Sequence, residues 1–143
     1  MTVRQISVFV ENTPGKIAEF TKVLYDNDIN MRALSVADTR DFGILRVIAD
    51  DSYKTACVLK DAGYVCSITK VLAVAIPDEP GALYKVLEVL GENDVNLEYM
   101  YAFNTRSVGS AYMIIRVADN DKAVSVLSKA GIKVICQEEL HKL

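Results

Sequence analysis

The chain has 143 residues, a hydrophobic fraction of 51%, a charged fraction of 24% and a formal net charge of −3. These values describe a foldable globular protein of one ordinary domain or two small ones, and they exclude a disordered chain. Acids and bases are mixed along the sequence with no concentrated basic face, which argues against nucleic acid as a partner. The longest apolar run, "VLAVAI", is far too short to span a bilayer, and the start "MTVRQISVFV" lacks a secretory leader's apolar core, so no membrane partner and a cytoplasmic location are expected.

In chain order, "RQISVFV" (4–10) alternates with Ile6, Val8 and Val10 on one face, which predicts a half-buried strand. Pro14 and Gly15 break it, and residues 15–27 place Ile17, Phe20, Val23 and Leu24 at helical spacing. "DND" ends that helix. "INMRALSVAD" and "GILRVIAD" then read as a hairpin about "TRDFG". "DSYKTACVLKDAG" predicts a second helix with an Asp-Ser start and Gly63 just past its end, and "YVCSITKV" a last strand.

From there the chain repeats itself. An offset of 66 sets residues 14–43 on 80–109 without a gap, with identities at Pro14/Pro80, Gly15/Gly81, Val23/Val89, Leu24/Leu90, Asn27/Asn93, Asp28/Asp94, Asn30/Asn96, Thr39/Thr105, Arg40/Arg106 and Gly43/Gly109. The second copy predicts a strand at "VLAVAI", a helix over 81–92 burying Leu83, Val86, Leu87 and Leu90, and a hairpin of "VNLEYMYAF" with "SAYMIIRVAD". A helix over 120–130 and a closing strand "IKVICQEEL" complete it. Tyr99 and Tyr101 fall on one face of the hairpin, where ordinary sheet packing is the favoured role.

Each copy is a βαββαβ unit, the ferredoxin-like arrangement of two helices over a four-stranded antiparallel sheet. The fold class is therefore α+β, with units at 1–70 and 71–143. No Gly, Pro or polar cluster interrupts 64–76, so the last strand of the first copy runs straight into the first strand of the second. Units of this size bury little surface alone and leave sheet edges open. They are expected to pack together, as one extended antiparallel sheet with the helices on one face.

The Pro-Gly turn is the chemically suggestive feature. Glycine lets a backbone or ligand approach closely, and the first amides of the helix that follows lack intrahelical acceptors, so they suit a carboxylate. Asn30 and Asn96, just past the other end of that helix, carry amides that can both donate and accept. Other chemistry is poorly supplied. Cys57, Cys66 and Cys136 form no CxxC pair and are expected as buried apolar side chains, and the single His141 stands near the C-terminus. Neither a metal nor a cofactor is expected. Asp38, Asp41, Asp50 and Asp51 read as solvated turn carboxylates, and no nucleophile has a base within reach, so the chain is not expected to be an enzyme.

"ENTPGKIAEFTKVLYDNDINM" and "DEPGALYKVLEVLGENDVNLEYM" resemble ACT domains, the small regulatory modules that bind amino acids in metabolic enzymes. The resemblance covers essentially the whole chain as two ACT units. It implies a non-catalytic amino-acid sensor whose ligand lies between paired units against the loop from strand one to helix one. The residues it implies are Asn12, Pro14, Gly15, Lys16, Ile17, Asn30 and Met31 in the first copy, and Asp78, Glu79, Gly81, Ala82, Leu83, Asn96 and Leu97 in the second. Asn12 and Asn30 match the asparagines of serine-binding examples, but Val10 stands where those carry a histidine. "GAL" (81–83) matches a phenylalanine-sensing motif, but "YAFN" replaces its companion segment. The acidic second loop favours an ammonium group. A homodimer and an outside metabolic enzyme partner are implied. The runner-up is a separate regulatory subunit of a biosynthetic enzyme, such as the small subunit of acetolactate synthase, and a third reading is a structural dimerisation module.

Overall fold

A computed structural model of the protein describes residues 1–38, 41–103 and 109–143. The turn residues Thr39, Arg40, Thr105 and Arg106, the Asn of "YAFN" and the Asp38 side chain lie outside the described residues. Two compact units are present, Arg4–Thr69 and Met1–Val3 with Lys70–Leu143. The fold is mixed α+β and ferredoxin-like.

In the first unit, β1 (Val3–Glu11), α1 (Lys16–Asp26), β2 (Met31–Asp38), β3 (Phe42–Ala49) and α2 (Ser52–Asp61) follow the predicted order. β1 and β2 both pair antiparallel with β3, with Val8 opposite Leu45 and Val36 opposite Leu45 from the other side. Residue 65, leading into β4 (Cys66–Pro77), lies on the side of β1 away from β3, where the Phe9 amide donates to the Val65 carbonyl at 3.1 Å. The alternating Ile6, Val8 and Val10 meet Leu45 and Val47 from β3, Phe20 and Leu24 from α1 and Leu59 from α2 in one core. Phe20 is fully buried and meets Tyr64 edge-on, with ring centroids 5.7 Å apart. Ile17 departs from expectation. Helical spacing gives it the face of Phe20, but it stands in the first turn, outside this core, and is 44% exposed.

The second unit repeats the plan with α3 (Ala82–Glu92), β5 (Leu97–Phe103), β6 (Ser110–Val117), α4 (Asn120–Lys129) and β7 (Lys133–Ile135). β4 is a single strand through Pro77 and pairs antiparallel with β6 on one side and β7 on the other, with β5 beyond β6. Leu72, Val74, Ile76, Val86, Leu90, Ile115, Val117 and Leu127 form its core. Tyr101 is buried, in line with the packing role expected for the hairpin tyrosines.

The helix ends show why the two copies are so alike. α1 and α3 end in paired bonds, Ile29 amide to Leu24 carbonyl and Val95 amide to Leu90 carbonyl, with Asp28 and Asp94 in the left-handed conformation at φ 52°. α2 and α4 end likewise, through Gly63 and Gly131 at φ 88° and 75°. At the start of α2 the Asp51 carboxylate accepts from the Tyr53 and Lys54 amides, and at the start of α4 Asp119 accepts from Lys122. Asp51 is therefore a cap rather than an idle turn carboxylate.

Two further expectations are corrected. The closing strand of the second copy does not run over 132–140: β7 has three residues and α5 (Gln137–Leu140) follows. The Glu139 carboxylate accepts from the Cys136 amide at 3.1 Å and bridges to Lys133 Nζ at 3.0 Å, which turns the chain out of the sheet. The cysteines are not buried. Cys57 is exposed on α2, and Cys66 and Cys136 are half-buried.

Candidate functional site

Gly15 and Gly81 stand immediately before α1 and α3 with φ 88° and 87°. L side chains rarely adopt that conformation, so glycine is the residue these turns require. Having no side chain, neither can cap the helix that follows. The Lys16 amide turns back to Thr13 and the Ala82 amide to Glu79, while the next two amides of each helix lie in the first turn, where no intrahelical acceptor exists. α2 and α4 are closed at their starts by aspartates, whereas α1 and α3 are open. The loops themselves are held from the side, by the Asn12 amide on the Asp41 carbonyl and the Asp78 amide on the Gly109 carbonyl.

The asparagines lie elsewhere. Asn30 follows the C-terminal end of α1, an 11-residue helix, so about 16 Å of helix axis separates it from Gly15. Asn12, Pro14 and Gly15 are exposed at one end of the unit, and Asn30 and Met31 lie at the other; Asp78 and Gly81 are parted from Asn96 and Leu97 in the same way. No single unit gathers the expected residues. The two asparagines also differ. Asn30 Nδ2 donates to Asp50 Oδ2 at 3.0 Å, and Arg32 Nε donates to Asp50 Oδ1 at 2.6 Å. Ala118 precedes the cap Asp119 where Asp50 precedes the cap Asp51, and the Asn96 side chain has no hydrogen-bond partner among the described residues.

Each unit carries a cleft at the equivalent place, formed by the end of its first strand, the first turns of its first helix and the turn after its second helix. In the first unit it is lined by Phe9, Val10, Glu11, Lys16, Glu19 and the 62–64 turn, with a volume of about 300 Å³. Lys16 Nζ bridges Glu19 Oε2 at 2.9 Å across it. This bond, with the carboxylates of Glu19 and Glu11 nearby, raises the Lys16 ammonium above its usual pKa, and burial raises the Tyr64 phenol. In the second unit the cleft has a volume of about 200 Å³ and is mostly aliphatic, with Ile76, Pro77, Ala82, Val86 and Ile132 beside Glu79, Lys85 and Lys133.

Of the expected residues, only Lys16, Glu79 and Ala82 line these clefts. Lys85, Lys133, Tyr64 and the turns at Gly63 and Gly131 were missed from the sequence. The signal was available in part: Lys85 lies one helical turn from Gly81 and aligns with Glu19 in the repeat. The turns were not legible from a motif confined to strand one and helix one, because only the topology returns the second helix to that end of the sheet.

Among the described residues no group of three or more His, Cys, Asp or Glu side chains could hold a metal ion, and no helix is long and apolar enough to cross a membrane.

Comparison with known proteins agrees with this architecture. A family model described as an ACT domain pair matches residues 1–143. Protein BT0572 from Bacteroides thetaiotaomicron has a crystal structure similar to this one at TM-score 0.92, with 39% identity over 100% of this chain and 98% of that one. The ligand-free regulatory subunit of aspartate kinase from Thermus thermophilus shares the fold at TM-score 0.66, with 15% identity over 89% of this chain and 91% of its own. None of the curated proteins compared matches. The duplicated βαββαβ units, the glycine-opened helix starts and the match along the whole sequence lead to one conclusion: the chain belongs to the ACT family, as an ACT domain pair.

Proposed function

We propose that this protein is a non-catalytic regulatory protein that binds a free amino acid at the loops joining strand one to helix one, with another ACT unit closing over the ligand. ACT domains are regulatory modules that bind small molecules. The observation that carries the reading is the pair of left-handed glycines, Gly15 and Gly81, which leave the starts of α1 and α3 uncapped while aspartates close α2 and α4. An amino acid's carboxylate suits such amides, and Asn12, Asn96 and the acidic Asp78–Glu79 pair supply partners for its ammonium. The separation of the loop from Asn30 or Asn96 within a unit supports a ligand that bridges units. A regulatory effect then requires that the ligand favour one arrangement of units over another, with a coupling of about 1–3 kcal/mol.

Thermal-shift and calorimetric screening against the twenty amino acids tests this. At a hundredfold excess over its Kd, a bound ligand stabilises by about 2.7 kcal/mol, so a clear rise in melting temperature is expected for one chemical class. No stabilisation by any of them at millimolar concentration would leave a dimerisation module as the better account.

A second reading is a separate regulatory subunit of an amino-acid biosynthetic enzyme. It is favoured by the fold shared with the aspartate kinase regulatory subunit over nearly that chain's full length. Affinity capture from an extract of the source cells is expected to recover such an enzyme if this reading holds.

A further inference from the structure

We infer that the cleft of the second unit, and not that of the first, holds the amino acid beneath the closing unit, and that it takes a small α-amino acid with an aliphatic side chain. The inference rests on the amino-acid reading above and narrows it to one unit and one ligand class.

The size of the cleft limits the ligand first. At about 200 Å³ it lies below the ~300–1,000 Å³ of pockets for drug-sized molecules, which leaves room for one small metabolite. Its walls then select the side chain. Ala75, Ile76, Pro77, Ala82, Val86 and Ile132 are aliphatic, and the lining has no hydroxyl, amide or aromatic side chain. A ligand hydroxyl or amide set against these aliphatic walls loses water without gaining a partner from them, so serine, threonine and asparagine are disfavoured. The charges at the cleft fit the remaining groups. Lys85 has no ion-pair partner among the described residues and is placed for a carboxylate. Lys133 adds a second ammonium, shared with Glu139, and Glu79 offers an acceptor for the ligand's ammonium.

The equivalent cleft of the first unit differs in its walls and lacks the unpaired lysine. Glu19 stands where the second unit has Lys85, Lys16 where it has Ala82, and Tyr64 where it has Ile132. The one lysine lining it is already bonded to Glu19, and Glu11 lies alongside. An incoming carboxylate would meet two carboxylates and an occupied ammonium. Duplication made the two clefts, and divergence left one of them with a free cation.

Calorimetry on the full chain, with leucine, isoleucine and valine against serine, asparagine and phenylalanine, reads the inference directly. Saturable binding is expected for the aliphatic group, with roughly tenfold or weaker affinity for the others. Lys85→Glu is expected to reduce aliphatic binding at least about tenfold, since a charge-assisted contact is lost and a repulsion gained. The charge-matched Lys60→Glu on α2 of the other unit should leave affinity unchanged. Both lysines are exposed, and Lys85→Gln with a cooperative melt separates lost binding from lost fold. An amino acid that binds regardless of Lys85→Glu overturns the assignment of the cleft while leaving the sensor reading intact. A polar amino acid whose binding depends on Lys85 overturns the aliphatic class. If none of the six binds and none of the other amino acids does, the sensor reading falls with the inference.

Discussion

Asn30 and Asp50 are joined side chain to side chain at 3.0 Å across the start of β2 and the end of β3, and Arg32 grips the other oxygen of the same carboxylate at 2.6 Å. Arg32 occupies a bulge between Met31 and Ala33, and Glu98 occupies the equivalent bulge between Leu97 and Tyr99. Bulges re-aim side chains, and here both bulged residues enter ion pairs with their charges exchanged: Glu98 meets Arg116 at 3.5 Å. The first unit thus spends its conserved-in-repeat asparagine on an internal bond, and the second does not.

Replacing Asp50 by alanine should therefore cost the first unit about 1 kcal/mol, the size of a partly exposed charged network rather than of a core contact. Equilibrium denaturation would read this loss. Asn96→Ala should cost much less, because no described partner is lost. Equal losses from the two substitutions would show that the bonds of Asp50 to Asn30 and Arg32 contribute nothing of their own.

The turn glycines offer a cleaner test, since a Cβ added at Gly15 or Gly81 would meet no atom within 4 Å. The cost of Gly15→Ala or Gly81→Ala is then conformational, about 1–2 kcal/mol for an L residue held in the left-handed region. Urea titration of each variant should give that loss with an unchanged slope. Gly81→Val should in addition abolish amino-acid binding in the second unit while the fold stays cooperative, and unchanged affinity would remove that turn from the site.

Acid should loosen the C-terminal turn before it unfolds the cores. The Glu139 carboxyl is held below its usual value near 4.5, chiefly by the Cys136 amide and then by Lys133. A carboxyl whose folded pKa is lowered contributes stability above the unfolded value and loses it as pH falls through the folded one. The protection factors of the α5 amides, with the intrinsic slowing of exchange in acid divided out, should accordingly fall below about pH 4.5, and Glu139→Ala should lower them already at neutral pH. Protection factors that stay flat across that range would mean the bond does not hold the turn.

Most of this architecture was legible because duplication wrote it twice. A strand such as 4–10 could have been misread alone, but Pro14–Gly15 and Pro80–Gly81 at one offset fix where both first strands end. The long β4 followed from the lack of any breaking residue between Tyr64 and Ile76. What failed depended on a local cap that strand-like spacing hides, on groups distant in sequence or on the reach of the sheet. "IKVICQEEL" has a strand's apolar spacing, and only the Glu139 contacts with Cys136 and Lys133 explain why it becomes a three-residue strand and a helical turn. Ile17 has the right helical phase, but phase does not tell how far the core extends beneath it. The clefts were half-seen, through Lys16, Glu79 and Ala82, because their other wall is a turn some fifty residues further along the chain.

The brevity of β7 has a consequence for how the molecule behaves in a crowd of its own kind. Within the second unit it forms the outer margin beside β4, where the backbone could otherwise invite another strand to zip on. Three residues, followed at once by a helical turn, give a newcomer too few rungs to hold, so runaway fibre growth from that side is starved at its first step.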